Sequence, residues 1–215
     1  LYDKAILRYH SLITEKGLKN AGVYYNLANA YFLKGDVGRA IMNYRRAEQI
    51  DDSNPDIQKN LAFARSRRVD KVSVNTEKKV LQTLFFWHFD IPIKIRFVLA
   101  CSFFGLLFVL LTLRVWTGRK PGLRAACFLT GLLFICFAAS VAIEQVIENR
   151  TTEGVILNES VIARSGDGYN YQPSFKEPLH AGTEFELIKA QSGWFNIRLA
   201  DGSEGWVPSK SAEKI

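Results

Sequence analysis

The sequence predicts a multidomain membrane protein with an all-α region, a hairpin of two transmembrane helices and a small all-β barrel, in that order. Three observations predict this organisation. Apolar and aromatic residues recur every three or four positions through residues 1–68, as on one face of a helix. The stretches Phe97–Leu113 and Ala125–Ile143 contain no charged residue. In residues 151–215 the apolar period changes to two, which is typical of half-buried strands.

The N-terminal helices follow the spacing of a tetratricopeptide repeat (TPR), a pair of antiparallel helices about 34 residues long. Small residues that let two helices approach alternate with apolar and aromatic residues that fill the space between them. These positions are Tyr24, Leu27, Ala28, Tyr31, Gly35, Ala40, Tyr44 and Ala47. An ordinary helical hairpin is the alternative, but it would not need small residues at these positions. The sequence therefore predicts a TPR domain over residues 1–68, with helix breaks at Gly, Asp and Pro.

Two transmembrane helices are predicted after a linker. The linker, residues 69–96, ends in an aromatic amphipathic segment suited to membrane lipid. The spans are residues 97–116 and 123–147, because each contains an uncharged run that matches roughly 30 Å of hydrocarbon. Residues 117–122 form the turn between them. Two helices buried in a soluble core are the alternative, which fails because no other segment is large enough to cover both.

The distribution of cations predicts the orientation of the hairpin. Arg114–Arg124 carries four cations around the turn, which indicates a cytoplasmic turn. Four cations also precede the first span and weigh against this orientation, but acidic residues predominate after the second span. We therefore expect both soluble parts to lie outside the cytoplasm. The chain begins at Leu1 rather than Met, so we expect that an upstream segment, such as a signal peptide, was removed or omitted.

The C-terminal region, residues 151–215, reads as five or six short strands separated by Gly-containing turns. That many strands in about 60 residues predict a small barrel. Four segments form a recognisable pattern, and the last two of them contain Gly-Trp, Asp-Gly and Gly-Trp in that order: Val161–Arg164, Leu179–Thr183, Gly193–Arg198 and Asp201–Val207. Through these segments the region resembles a bacterial SH3 domain. The loop between Arg164 and Leu179 is longer and more aromatic than the compact pattern of that family.

Three motifs of the repeat region, together with the order of repeat, hairpin and SH3-like barrel, carry a second resemblance: Tyr24–Tyr31, Gly35–Ala40 and Asn60–Arg65. With them, the chain is similar to the tetratricopeptide-bearing BatE family of the Bacteroides aerotolerance (Bat) operons. The resemblance covers essentially the whole chain. It implies a bacterial inner-membrane protein with two spans and both soluble domains in the periplasm. It also implies a hetero-oligomer with von Willebrand factor A domain membrane proteins and a MoxR-type AAA+ ATPase system.

Residues that could perform catalysis or bind a metal are scattered. The three histidines lie one each in the repeat region, the linker and the barrel region, so we expect no metal site and no catalytic triad. All three cysteines lie in the apolar stretches, which excludes a disulfide framework in the soluble parts. We therefore expect a protein that is not an enzyme, has no catalytic residue and holds no cofactor.

Net charge argues against a nucleic-acid partner. The chain carries +7, but much of the excess lies in the linker and beside the spans rather than on one folded face. Residues 1–79 contain 15 Lys and Arg against 9 Asp and Glu, whereas residues 148–215 contain 7 against 10. Within the first of these segments, we interpret the basic run Arg65, Arg67 and Arg68 as a solvated face.

Two groups of residues are candidate binding surfaces. The first helix of each TPR pair faces a concave groove, and the residues expected there are Tyr25, Asn29, Phe32, Lys59 and Phe63. An amide both donates and accepts hydrogen bonds, so Asn29 suits an extended peptide backbone, with capping or solvation as the alternative. In the barrel region the candidate residues are Tyr169, Tyr171, Phe175, Trp194 and Trp206, with simple packing as the alternative.

These features predict a non-catalytic scaffold that holds an envelope complex together through several weak contacts anchored in one membrane. The alternative function is a receptor that binds peptidoglycan fragments or envelope peptides through the SH3-like loop. The sequence leaves open whether the hairpin packs on itself or on the spans of a partner.

Overall fold

The computed structural model describes residues 1–72, 80–81, 83–118, 120–148 and 151–215. The chain divides into two compact units. The first joins Leu1–Thr76 to Thr151–Ile215, and we call it the helix–sheet unit; the second is Glu77–Arg150. The N-terminal helices and the C-terminal strands therefore form one body, although the hairpin separates them in sequence.

Four α-helices form within residues 1–72, and polar residues and glycine set their ends. They are α1 Tyr2–Thr14, α2 Ala21–Lys34, α3 Val37–Ile50 and α4 Pro55–Ser66. Asn20, Asp36 and Asn54 each accept a hydrogen bond from a backbone N–H in the first turn of α2, α3 and α4. Gly35 ends α2 with a left-handed φ of 91°, which glycine adopts without steric cost. The helix breaks thus fall where Gly, Asp and Pro predicted them.

Small residues let α2 and α3 pack closely. Ala28, Ala40 and Ala47 are fully buried, and Tyr31 and Tyr44 are almost fully buried beside them. This core also contains a residue of the C-terminal region, Val155, with Leu157 and Ile215 partly buried against it. The apolar core of the helices therefore continues into the sheet.

Residues 151–215, all of which the structure describes, form seven strands. They are β1 Thr152–Ile156, β2 Ser160–Val161, β3 Leu179–His180, β4 Glu184–Gln191, β5 Trp194–Arg198, β6 Glu204–Pro208 and β7 Ala212–Lys214. Five strands make an antiparallel sheet in the order β6-β5-β4-β1-β7, and β2 pairs with β3. A second apolar core, which includes Phe185, Ile197 and Val207, lies within this region. The alternating pattern thus gives an antiparallel sheet region, while closure into an SH3-like barrel stays a prediction.

The second unit contains two long apolar helices. Its described helices are α5 Phe86–Phe89, α6 Ile93–Thr117 and α7 Pro121–Glu148. By length and composition, α6 and α7 are able to cross a membrane, and only 6% and 17% of their most apolar windows are buried. The core helix of a soluble protein would be mostly buried. The two helices pack on each other through Phe103 with Phe137 and Phe104 with Phe134, whose ring centroids lie 5.8 Å and 5.3 Å apart.

Candidate functional site

The predicted groove residues lie on α2 and α4. Tyr25, Asn29 and Phe32 follow one another at helical spacing along α2, and Lys59 and Phe63 belong to α4. Side-chain contacts connect the two helices along this side. We call the surface formed by these five residues the α2–α4 face.

A hydrogen-bond network occupies the middle of the α2–α4 face. The Asn60 amide nitrogen donates to the Tyr25 hydroxyl at 2.8 Å and lies 3.3 Å from the Asn29 side-chain oxygen. The Tyr44 hydroxyl donates to the same oxygen of Asn29. Burial and the neighbouring Tyr25 raise the pKa of Tyr44 to about 12, so its hydroxyl stays protonated and remains a donor.

This network limits the hydrogen bonds that Asn29 can form with a ligand. Its carbonyl oxygen already accepts from two internal donors, Tyr44 and Asn60. The amide nitrogen is the remaining polar group, and it only donates. A ligand of this face would therefore meet a hydrogen-bond donor at Asn29, where the sequence alone suggested both a donor and an acceptor.

A pair of aromatic rings beside cationic side chains lies at one end of the α2–α4 face. The rings of Phe32 and Phe63 are 5.4 Å apart, and the guanidinium of Arg67 lies 5.0 Å from the centre of the Phe63 ring. Phe63 is 49% exposed, and Lys59 is exposed as well. An exposed aromatic ring beside positive charge suits a partner that carries both apolar and acidic groups.

Sequence reasoning missed three residues that contact this face. Asn60 and Arg67 stand three residues before and four residues after Phe63, so helical spacing could have placed them beside it. Tyr44 was assigned to the space between the helices, where it is indeed buried, but its hydroxyl reaches Asn29. Only the approach of α3 to α2 could reveal that contact.

In the sheet region, two of the five candidate aromatic residues are mainly exposed. Tyr169 and Tyr171 are 62% and 50% exposed, whereas Trp194 is 8% exposed. Phe175 and Trp206 are half-buried. The ring centroids of Tyr169 and Trp194 lie 4.9 Å apart. The Arg164 guanidinium lies 5.9 Å from the centre of the Tyr169 ring. The most accessible part of this candidate surface is therefore the pair of tyrosines.

The helices are joined to the sheet by a carboxylate with three arginines around it, which we call the Glu184 cluster. Arg65 holds Glu184 with two hydrogen bonds of 2.8 Å and 2.6 Å. Arg68 donates at 3.1 Å, and Arg45 lies 3.4 Å away. Burial raises the pKa of Glu184, but the bonds from Arg65 and the three positive charges outweigh it and leave the pKa below its usual value.

The cluster corrects the interpretation of the basic run in α4 and the residues after it. The prediction that this run is a solvated face was wrong for Arg65 and Arg68, because both bind Glu184. Arg67 lies over Phe63 instead. Two further pairs link α3 to the sheet, since Arg45 binds Glu153 and Arg46 binds Glu213. The basic excess of the N-terminal segment thus partly neutralises the acidic excess of the C-terminal one.

Asp70 fastens the chain after α4 to the sheet region. One of its oxygens accepts from the backbone N–H of His180 and from the Thr183 hydroxyl, both at 2.6 Å. The other lies 2.7 Å from the His180 side-chain Nδ1. Burial raises the pKa of Asp70, but the bonds from Thr183 and His180 outweigh it and hold the pKa below its usual value. Among the described residues, no group of three or more His, Cys, Asp or Glu side chains could hold a metal ion.

These two carboxylates predict that the helix–sheet unit loses stability in acid. A lowered native pKa stabilises the native state fully above the unfolded value, and the stabilisation is lost as pH falls through the native pKa. For Glu184 and Asp70 the usual values are 4.5 and 3.8, so we expect the loss to begin near the higher one. Urea unfolding of the detergent-solubilised chain across acid pH measures it. The pH dependence should be shallower in Asp70→Asn and in Glu184→Gln, and an unchanged dependence in both variants would contradict the prediction.

Comparison with known families places a repeat on these helices. Residues 28–67 match the family model described as TPR repeat. The chain contains a TPR repeat. The match begins within α2 and continues through α3 and α4, so it includes Asn29, Phe32 and Phe63 of the α2–α4 face. TPR repeats generally mediate protein–protein interactions. No curated protein matches the chain.

Proposed function

We propose that the protein is a non-catalytic, membrane-anchored scaffold whose α2–α4 face binds a segment of a partner protein. The observation that carries this proposal is Phe63, which is 49% exposed within a TPR repeat and lies against Phe32. A soluble unit gains nothing in stability from leaving such a ring half in water. Burial of an exposed aromatic ring is, however, a large source of binding energy at protein interfaces.

The chemistry of the face defines the partner segment. Asn29 and the cations Lys59 and Arg67 all donate hydrogen bonds, so the segment should supply acceptors. Backbone carbonyl groups of an extended chain and acidic side chains meet this requirement. An apolar side chain of the same segment would pack on Phe63. We therefore propose an extended, acidic segment with at least one apolar residue.

The hairpin supplies the anchor in this proposal. Two long apolar helices in which few residues are buried support a membrane location, and the cationic turn supports an orientation with both soluble segments in the periplasm. We further propose that the sheet region is an SH3-like barrel and that the complex is of the Bat type. Its partners would then be von Willebrand factor A domain membrane proteins and a MoxR-type ATPase system.

A second candidate function is a receptor for peptidoglycan fragments or envelope peptides. The observation that favours it is the exposure of Tyr169 and Tyr171, at 62% and 50%. Two exposed tyrosines beside Arg164 could stack on a sugar ring or on a peptide. Binding of the ligand would in this case depend on the two tyrosines of the sheet region and not on residues of the α2–α4 face.

Replacing Phe63 by Ala should lower recovery of the partner by about tenfold, since removal of a central aromatic side chain typically costs more than 1 kcal/mol. The measurement is affinity purification of the tagged full chain from native membranes in mild detergent, with quantitative mass spectrometry of proteins recovered in fixed ratio. Leu7→Ala is the matched control, because Leu7 is an exposed apolar residue of α1, outside the α2–α4 face.

Equal recovery of every protein with Phe63→Ala, Leu7→Ala and the unaltered chain would contradict the proposed function. Recovery of wall fragments that are lost with Tyr169→Ala, but kept with Phe63→Ala, would favour the receptor. Von Willebrand factor A membrane proteins in fixed ratio, lost with Phe63→Ala, would support the Bat-type scaffold.

A further inference from the structure

Polar side chains meet at the end of the hairpin where α5, α6 and α7 come together. Arg96 of α6 is 2% exposed and Ser140 of α7 is 5% exposed, in helices that are predominantly apolar. The Arg96 guanidinium donates to the Ser140 hydroxyl at 2.8 Å and to the Ile91 carbonyl oxygen at 2.8 Å. It also binds the Glu144 carboxylate. Arg96 is thus held both by the chain just before α6 and by two residues of α7.

His88 of α5 completes this cluster. Its Nδ1 lies 2.8 Å from the Ser140 hydroxyl and 3.0 Å from a guanidinium nitrogen of Arg96. An arginine nitrogen only donates, so Nδ1 must be an acceptor. Since Nδ1 accepts, the Ser140 hydroxyl, which itself accepts from Arg96, donates its hydrogen to Nδ1. The geometry therefore requires a neutral His88 with its proton on Nε2.

We propose that His88 is a proton-sensitive latch, which holds the aromatic segment Phe85–Phe89 against the hairpin when neutral and releases it when protonated. Protonation would remove the acceptor that Arg96 uses and would direct an N–H at the Arg96 guanidinium, which can only donate. It would also place a positive charge about 3 Å from the Arg96 guanidinium. Both effects act in the same direction and remove the contacts between α5 and the two long helices.

The groups facing His88 from each neighbouring element support this proposal. Arg96 faces it from α6, and Ser140 faces it from α7. Glu144, also on α7, is the one nearby carboxylate among these described groups, and it is already bound to Arg96. The Phe89 ring lies 4.8 Å from the imidazole on its own element. Among these groups, only the second lone pair of the Ser140 hydroxyl could accept from a protonated Nδ1, and using it would still leave the imidazolium beside the Arg96 guanidinium.

Burial, followed by the charge of Arg96, lowers the pKa of His88, with Glu144 opposing in part. The latch is therefore closed above the ordinary histidine value of about 6.5, and it weakens as pH falls below that value. Phe85, Phe86 and Phe89 are each at least 44% exposed, so the released segment is suited to a lipid interface. The inference is independent of the α2–α4 face and of any partner.

Nitrogen NMR of the full chain, labelled with ¹⁵N-histidine in nanodiscs of phosphatidylethanolamine and phosphatidylglycerol, tests the latch directly. Comparison with His88→Gln assigns the signal of His88. We expect a neutral ring at neutral pH, with the proton on Nε2. Arg96→Gln should raise the pKa of His88 and Glu144→Gln should lower it. A proton on Nδ1, or a pKa that neither variant changes, would overturn the proposal.

Release itself needs a second signal, from the neighbouring Trp87. With 5-fluorotryptophan in the same nanodiscs, the Trp87 fluorine resonance, assigned by Trp87→Phe, should change with pH along the titration of His88. His88→Asn is the matched control, because its amide oxygen can accept in place of Nδ1 but does not titrate in this range. We expect the Trp87 signal of this variant to be independent of pH. The same pH dependence in His88→Asn as in the unaltered chain would overturn the latch.

Discussion

Replacing Glu184 by Gln is expected to lower the free energy of unfolding of the helix–sheet unit by about 3 kcal/mol, because a partly buried carboxylate held by charge-assisted hydrogen bonds is lost and Arg65 and Arg68 are left without it. The glutamate is 21% exposed, and Arg45, Arg65 and Arg68 around it are 19%, 34% and 21% exposed. Three guanidinium groups would lose their common carboxylate at once. Gln has the same shape, so the loss would report charge and not a cavity.

The matched control is Glu186→Gln, two residues further along the same strand. Glu186 faces Arg198 at 3.6 Å, and both side chains are more than one third exposed. Exposed pairs contribute little, so this variant should leave the free energy of unfolding nearly unchanged. Urea unfolding of the full chain in detergent, followed by tryptophan fluorescence, measures both variants. Equal losses in the two variants would mean that the Glu184 cluster does not hold helices and sheet together.

Local features of the fold could be predicted from the sequence because their causes are local. Gly35 permits the left-handed end of α2, and Asn54 before Pro55 caps α4. The absence of charge in Phe97–Leu113 predicted a helix whose surface stays apolar. Each of these features depends on residues within one or two helical turns of it.

The joining of helices and sheet could not be predicted in the same way. Glu184 and Arg65 are 119 residues apart, and the hairpin lies between them in sequence. Their opposite charges were visible, as was the basic excess of one segment and the acidic excess of the other. Which of the many charged side chains would meet depends on how α3 and α4 lie on the sheet, and no residue pattern encodes this directly.

The candidate surfaces likewise combine features that the sequence predicts with contacts that only the tertiary structure reveals. Helical spacing was sufficient to place Asn29, Phe32 and Phe63 on one side of the repeat. It could not show that the Asn29 oxygen is occupied by Tyr44, since that contact depends on the distance between two helices. Nor could alternation along β5 reveal that Trp194 is buried beneath Tyr169. Hydrogen-bond saturation and aromatic burial are tertiary properties.

The fold also connects the proposed binding surface to the sheet through one helix. Phe63 lies on the α2–α4 face, whereas Arg65, two residues later on α4, binds Glu184. A partner that shifts α4 would therefore act on the Glu184 cluster. The TPR repeat and the sheet region are consequently better regarded as one structural body than as two independent modules.

Replacing Gly38 by Val tests this view at a second point of the same interface and should cost about 3 kcal/mol through overpacking. A Cβ on Gly38 would lie 3.0 Å from the carbonyl oxygen of Ile156 and 3.3 Å from both the Ala181 Cβ and the Gly182 nitrogen. Two of these neighbours are backbone atoms, so relief requires α3 to move away from the sheet. Gln49→Val, at an exposed position of α3, measures the cost of valine in that helix alone, about 0.5 kcal/mol.

The double variant Gly38→Val with Glu184→Gln then decides whether one interface is involved. If both substitutions act by separating the helices from the sheet, the second should cost clearly less once the first has been made. The urea unfolding experiment gives the coupling energy from the four chains of the cycle. Costs that add to within about 0.5 kcal/mol would contradict the single interface, because independent sites behave in that way. A coupling larger than this would instead mean that the repeat and the sheet stabilise each other through one contact surface.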